Sequence, residues 1–319
     1  MNRALLYVWI MALILSLLIA CGAPPAKGSG IMVYTRSDAC GAAEVWAKYL
    51  DNHKQEDLSG TAVNGDPGLA EAVRQDVLGI GYNNIGYAYD LATGKQVEGL
   101  IVLPIDLNEN GTVDPDESFY GTKAEVTRAI ANGKYPSPPA RELYLVTRDQ
   151  FTGLTRVFVR WILTDGQKFV DPMGYIVLPQ DRIKAGLDRL GDMQAKMKME
   201  GTITVSGAFA LYPMMVRWSE EFNKLYPDVK FNISAGGAGK GMTDALGRMV
   251  DLGMVSREIN PAEVEKGAAW IAVTKDAVVP VANAQNPFKS DLLKKGVKKQ
   301  AFVDIWISGK TTDWKELVK

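Results

Sequence analysis

The chain has 319 residues, which at roughly 150 residues per domain suggests about two domains. Apolar residues make up 47% and charged residues 23%, which excludes a disordered or collagen-like chain, and a net charge of -1 offers no global field for nucleic acid. The single histidine, His53, excludes a three-histidine zinc site, a paired-histidine metalloprotease helix and any catalytic triad built without it.

In chain order, Arg3 supplies a positive start and Leu5 to Ala20 is a nearly unbroken apolar run. That suits a signal-peptide core with its flanks and is marginal for a spanning helix, which needs about 20 apolar residues. Residues 1–20 therefore read as an export signal. Leu18-Ile19-Ala20-Cys21-Gly22 resembles a bacterial lipoprotein box. That resemblance implies lipidation of Cys21, cleavage just before it and attachment to the outer side of the cell membrane; the alternative is an N-terminal membrane helix with an incidental cysteine. The Pro- and Gly-rich residues 21–30 suit a flexible tether. With Cys21 lipidated, Cys40 stands alone and no intrachain disulfide is expected.

Beyond the tether, strands are expected at 31–34, 79–82, 99–104, 143–147, 175–178, 202–205, 229–234, 270–273 and 278–282. Helices are expected at 42–50, 126–132, 156–163, 214–225, from the glycine-rich 236–241 through Met249, and at 302–307. Residues 180–201 read as a surface helix with a connector. Strands alternating with helices predict an α/β fold with largely parallel sheets.

Three segments place a small turn before a helix start: 34–41, 205–208 and 234–241. A helix start leaves about four N–H groups unpaired and carries roughly half a positive charge, so converging starts make an anion site without a metal. Gly236 to Gly241 (GGAGKG) lacks the spacing and the Ser or Thr of a P-loop.

Arg36-Ser37-Asp38-Ala39-Cys40-Gly41 resembles the Arg-Ser-Asp-x-Ser-Gly-Thr motif of phosphate-binding proteins, the solute receptors of ABC phosphate importers. Gly79 to Tyr82, Val250 to Arg257, Leu143 to Leu178 and Ala301 to Leu317 resemble further segments of that family. The order differs, because Arg-Ser-Asp opens the chain here and the Gly…Trp stretch closes it. The resemblance thus implies a circularly permuted, two-lobed α/β fold of the type II periplasmic-binding-protein class, with residues 180–201 joining the family's old ends. One lobe is expected at 31–98 plus 288–319 and the other at 99–287, with the ligand between them.

The resemblance implies roles residue by residue. Arg36 would donate two parallel hydrogen bonds to an oxyanion, and Asp38 would hold Arg36. Ser37, Cys40, Gly41 and Ala42 would line the first helix start, with backbone N–H groups from Gly41 and Ala42. Ala208 to Leu211 (Ala210 and Leu211 above all) and Ala238 with Gly239 would supply further N–H groups, and Ser256 a hydroxyl. The family's hydroxyl-bearing positions become Cys40, Ala42, Ala208 and Ala238, so either backbone amides hold phosphate or the ligand differs. The implied partners are phosphate or a similar oxyanion, the permease subunits of an ABC importer, and the membrane through the lipid; the chain is expected to act as a monomer. The alternatives are another small solute, or a lipid-anchored sensor or scaffold without transport.

Asp106, Asn108, Asn110, Gly111, Thr112, Asp114 and Glu117 match the oxygen-bearing spacing of an EF-hand calcium loop. Residues 106–117 are therefore expected to hold structural Ca2+, with Thr112 through its carbonyl, and no cofactor is otherwise required. An enzyme would need Cys40 as nucleophile and His53 as base, which a separation of thirteen positions does not by itself bring together. A binding protein is expected instead.

Overall fold

A computed structural model describes residues 28–191 and 198–319. The export signal, Cys21 and most of the expected tether lie outside the described residues.

The strands are β1 (Met32–Arg36), β2 (Thr61–Val63), β3 (Gly79–Asn84), β4 (Leu100–Val102), β5 (Ile105–Asp106), β6 (Ala140–Arg148), β7 (Gly201–Gly207), β8 (Val229–Ala235), β9 (Leu252–Val255), β10 (Ala268–Asn283) and β11 (Val297–Lys298). They form two lobes that share β10, whose first half pairs antiparallel with β6 and whose second half pairs antiparallel with β3 and β4. The first half-sheet runs β2-β1-β3-β10-β4 and the second β8-β7-β9-β6-β10. In each, the first three strands are parallel and the fourth, arriving from the other lobe, is antiparallel. The α/β, two-lobed expectation holds, while the sheets are mixed where largely parallel ones were expected.

Each lobe closes its own core. Trp46 and Trp306 meet edge to face at 5.4 Å, Tyr82 stacks on Trp46, and the Trp306 indole N–H donates to the Tyr34 carbonyl at 3.2 Å. The second core gathers Phe158, Trp161, Phe222 and Phe231. The first core also takes in residues from Leu100 to Ala140, so the division expected at residue 99 is corrected to one near the start of β6. The reason is pairing: β4 adds to the second half of β10, and Ile105 of β5 packs in the same core.

Some expected elements differ. The strands expected at 270–273 and 278–282 are one 16-residue strand, because Asp276 is buried opposite Arg141 and does not interrupt the ladder. Residues 175–178 form no strand beyond a single bridge, Ile176 to Lys275, beside the irregularity in β10. The helix Lys123–Ala131 starts earlier than expected because Thr122 and Glu125 form a capping box.

The first and last described segments are stapled together. Ile31 N–H donates to the Thr312 carbonyl, Trp314 N–H to the Ser29 carbonyl, and the Ser29 hydroxyl to Asp313 at 2.5 Å.

Replacing Trp306 with alanine removes a fully buried ring, and is expected to cost about 3–5 kcal/mol in denaturant unfolding. Met249→Ala, at a side chain 76% exposed, is expected to stay within about 0.5 kcal/mol. Equal effects would contradict this packing.

Candidate functional site

Arg36 ends β1 and its side chain is fully buried where the lobes meet. Nε and Nη2 donate to the two oxygens of Asp38 at 2.8 and 2.7 Å, and Nη1 donates to Asp66 at 2.7 Å. A guanidinium has five N–H groups, so two are left without a protein acceptor. Asp38 also accepts from Gly65 N–H, and Asp66 accepts from the backbone and side-chain amides of Asn84. Burial works against charge on Arg36, but Asp66 and Asp38 outweigh it and hold the guanidinium protonated. Burial likewise pushes Asp38 up, and Arg36 overrides it to leave that carboxyl below its ordinary range. The parallel pair expected to face an oxyanion is thus made with Asp38 itself, because a buried cation needs its fork satisfied within the fold.

Three helix starts surround this cluster. In the helix Gly41–Tyr49, Cys40 is the N-cap and its sulfur accepts from Ala43 N–H at 3.3 Å, leaving the Gly41 and Ala42 N–H groups without an intrahelical acceptor. In the segment 208–211, Ala208 N–H donates to the Met254 carbonyl and Leu211 N–H to the Ala208 carbonyl. The Phe209 ring lies under Arg36 at 5.6 Å, and the Phe209 and Ala210 carbonyls accept from the hydroxyls of Tyr87 and Tyr175. Ala238 opens the third helix, Ala238–Leu246, and Gly239 N–H donates across the lobes to the Ala39 carbonyl at 3.0 Å. Ser256, just after β9, packs against Gly41 so closely that a Cβ there would sit 2.2 Å from its carbonyl oxygen.

The structure therefore brings together Arg36, Asp38, Gly41, Ala42, Ala210, Ala238 and Ser256. Five expected contacts are corrected. Ser37 is exposed. Cys40 turns its sulfur into its own helix, while the N–H groups of Ala208, Leu211 and Gly239 are already bonded. Burial pushes the Cys40 thiol up to about 12, the reverse of what a nucleophile needs, and His53 is a half-exposed partner of Asp57.

Asp66, Asn84 and Arg141 are residues that sequence reasoning missed. Asp66 lies in the first turn of the helix Gly65–Gln75, a legible signal in Asn64-Gly65-Asp66-Pro67. Arg141 donates to the Gly41 carbonyl at 3.0 Å and to Asn84, and lies 3.7 Å from Asp276 across the paired hinge strands. A charge inside an apolar strand was its only local signal. At the mouth of the cleft, Ala39, Cys40, Glu44, Gly239 and Arg257 line a cavity of about 540 Å³. Arg257 spans the lobes to Glu44 at 3.0 Å.

The loop 106–117 belongs to the first lobe, not to the second as expected. Asp106 and Glu117 are buried, and their oxygens accept N–H groups of the loop itself. Asp114 accepts both the Asn108 and Asn110 side-chain amides. Among the described residues no group of three or more His, Cys, Asp or Glu side chains is placed to hold a metal ion.

A sequence model of the PBP superfamily domain matches residues 20–166 and 194–318. The phosphate-binding protein PstS 2 of Streptococcus agalactiae is 30% identical over 263 residues, covering 82% of this chain and 75% of that protein. Its Streptococcus pneumoniae counterpart is 24% identical over 314 residues, covering 94% of each. Among solved structures, a phosphate-binding protein of a phosphate ABC transporter from Streptococcus pneumoniae superposes with a TM-score of 0.58 at 21% identity, covering 90% of this chain and 99% of that one.

Gly41→Ala puts a methyl group where the Ser256 backbone already stands, so the lobes have to part. Small-angle scattering is expected to show a larger radius of gyration than for the unaltered protein. An unchanged curve would mean that the contact yields locally.

Proposed function

We propose that this chain, which belongs to the PBP superfamily and to its phosphate-binding proteins, is an exported receptor that holds phosphate or a close tetrahedral oxyanion between its lobes. It would deliver that anion to the membrane subunits of an ABC importer. The observation that carries the reading is Arg36, a buried guanidinium fixed by two carboxylates with two N–H groups left over beside unpaired helix starts. Backbone amides take the part of the missing hydroxyls at Cys40, Ala42, Ala208 and Ala238, since each hydrogen bond to a charged ligand contributes roughly 1.5–3 kcal/mol whichever donor makes it. The names of the relatives support both the ligand and the transporter.

Attachment to the outer membrane face rests on the lipoprotein-like box ending at Cys21. No helix among the described residues is long and apolar enough to cross a membrane. A permuted chain order is supported by the stapling of residues 29–31 to 312–314 and by a family match that breaks between 166 and 194. A binding role, and not catalysis, is supported by the suppressed acidity of Cys40. The lost hydroxyls favour a second reading, another small solute in the same cleft.

Titration calorimetry with phosphate, arsenate, sulfate and molybdate tests the ligand. Phosphate is expected to bind, and Arg36→Lys to weaken it at least about tenfold, because an ammonium cannot hold both carboxylates and an anion in one plane. The absence of both heat and thermal stabilisation at millimolar phosphate would reject the reading. For the loop 106–117 we propose structural calcium, held by the oxygens of Asp106, Asn108, Asn110, Thr112, Asp114 and Glu117 once the two asparagine amides turn their oxygens inward. Melting in calcium is then expected above melting in EDTA; superimposed curves would remove the metal.

A further inference from the structure

Behind the anion site, a second buried pair joins the hinge strands. Arg141 of β6 stands opposite Asp276 of β10 in the ladder, and both are nearly solvent-free. Their charges lie 3.7 Å apart, too far for a hydrogen bond. Neither Asp276 oxygen has a side-chain hydrogen-bond partner, and Arg141 Nε has none. A chain of contacts links this pair to the site: Arg141 to Asn84, Asn84 to Asp66, Asp66 to Arg36.

Counted together, the buried cluster holds three cations, Arg36, Arg141 and Lys123, against three carboxylates, Asp38, Asp66 and Asp276. Asp38 and Asp66 are each hydrogen-bonded to Arg36 and to amides, so their charge is compensated. Asp276 is the least compensated of the three, with its nearest guanidinium 3.7 Å away and no side-chain partner on either oxygen, and an entering anion adds negative charge beside it in a medium of low dielectric. The groups facing Asp276 are Arg141 on β6, Lys123 on the helix Lys123–Ala131, Asp66 on the helix Gly65–Gln75, Tyr87 on the helix Ile85–Ala88, and Tyr135 and Tyr175 from connecting segments. Lys123 is engaged with the Met173 carbonyl and the Tyr175 ring.

We propose that Asp276 couples anion capture to proton uptake: the cleft binds its oxyanion with Asp276 as the neutral acid, and releases the proton with the anion. The proposal rests on reading the cleft as an oxyanion site. One O–H bond forms on Asp276 with a proton drawn from solvent or buffer acid, and breaks again on release. Burial pushes this carboxyl up to about 7, with Arg141 offsetting it only in part, so the proton is exchangeable near neutrality.

The test compares the unaltered protein with Asp276→Asn, which keeps the shape of the neutral acid. Phosphate affinity is measured from pH 5.5 to 8.5 by calorimetry, in buffers of different ionisation enthalpy. Phosphate itself titrates in this range, so the readout is the difference between the two proteins at each pH. At pH 5.5 they are expected to bind within threefold. At pH 8.5 the unaltered protein is expected to be at least tenfold weaker than the variant, and near pH 8 to take up close to one more proton per anion. Identical pH profiles and proton counts overturn the proposal. So does a variant that folds normally and fails to bind at every pH, because the carboxylate itself would then be required.

Should phosphate bind neither protein, the oxyanion reading fails by itself, and melting of the free proteins still decides the titration. A group whose folded pKa is raised stabilises the fold fully below its unfolded value and loses that stability as pH rises through the folded one. The unaltered protein is therefore expected to lose more melting temperature between pH 5 and 8 than Asp276→Asn. Parallel melting profiles overturn the proposal on that ground alone.

Discussion

A guanidinium with no exposed atoms is the constraint around which this protein is arranged. Arg36 sits at the end of a strand in one lobe and cannot lose its proton, so it has to find its negative partners inside the fold. Asp38 comes from the turn that follows, and Asp66 from a separate helix start. Removing one partner of such a buried pair leaves an uncompensated charge at a cost of about 3–5 kcal/mol. The turn from Arg36 to Gly41 is thereby held in place, and with it the start of the helix Gly41–Tyr49, whose first N–H groups have no intrahelical acceptor. Gln55 reinforces the same turn, donating to the Asp38 carbonyl and accepting from Cys40 N–H.

The second lobe meets that turn through elements with almost no side chain. Gly41 lies against Ser256, and Gly237 and Gly239 lie against Ala39 and Asp38. A Cβ at any of these three glycines would stand 2.2–2.8 Å from an atom of the other lobe, so a larger residue there has to move the two apart. Arg257 to Glu44 and Lys48 to Glu258 close the edge of the same interface. The hinge is β10, one strand serving two sheets, with Asp276 and Arg141 at the point where it changes partners.

Much of this was legible where the signal is local. The Arg-Ser-Asp turn, the small residues at helix starts and Ser256 all read from short motifs, and the structure brings most of them to one place. What stayed hidden depends on sheet register. Arg141 matters because of what β10 carries opposite it, and nothing within residues 140–148 states that. The same pairing made β10 look like two strands, since Lys275 and Asp276 break an apolar run that only a buried partner can tolerate. Cys40 misled in a different way. Position suggested a ligand contact, whereas a sulfur one residue before a helix is also an N-cap, and the cap takes it. The lobe boundary was misplaced because β4 and β5 are too short to reveal which sheet they join.

The staple between the two ends of the chain has a mechanical meaning. Residue 29 is bonded to Asp313 and Trp314, and residue 31 to Thr312, so the amino end enters the first lobe beside its last helix, not through β1 alone. A pull applied at residue 28 loads these transverse bonds together and spreads into the body of that lobe. None of these bonds reaches the second lobe, so the load passes to it only through the contacts between the lobes.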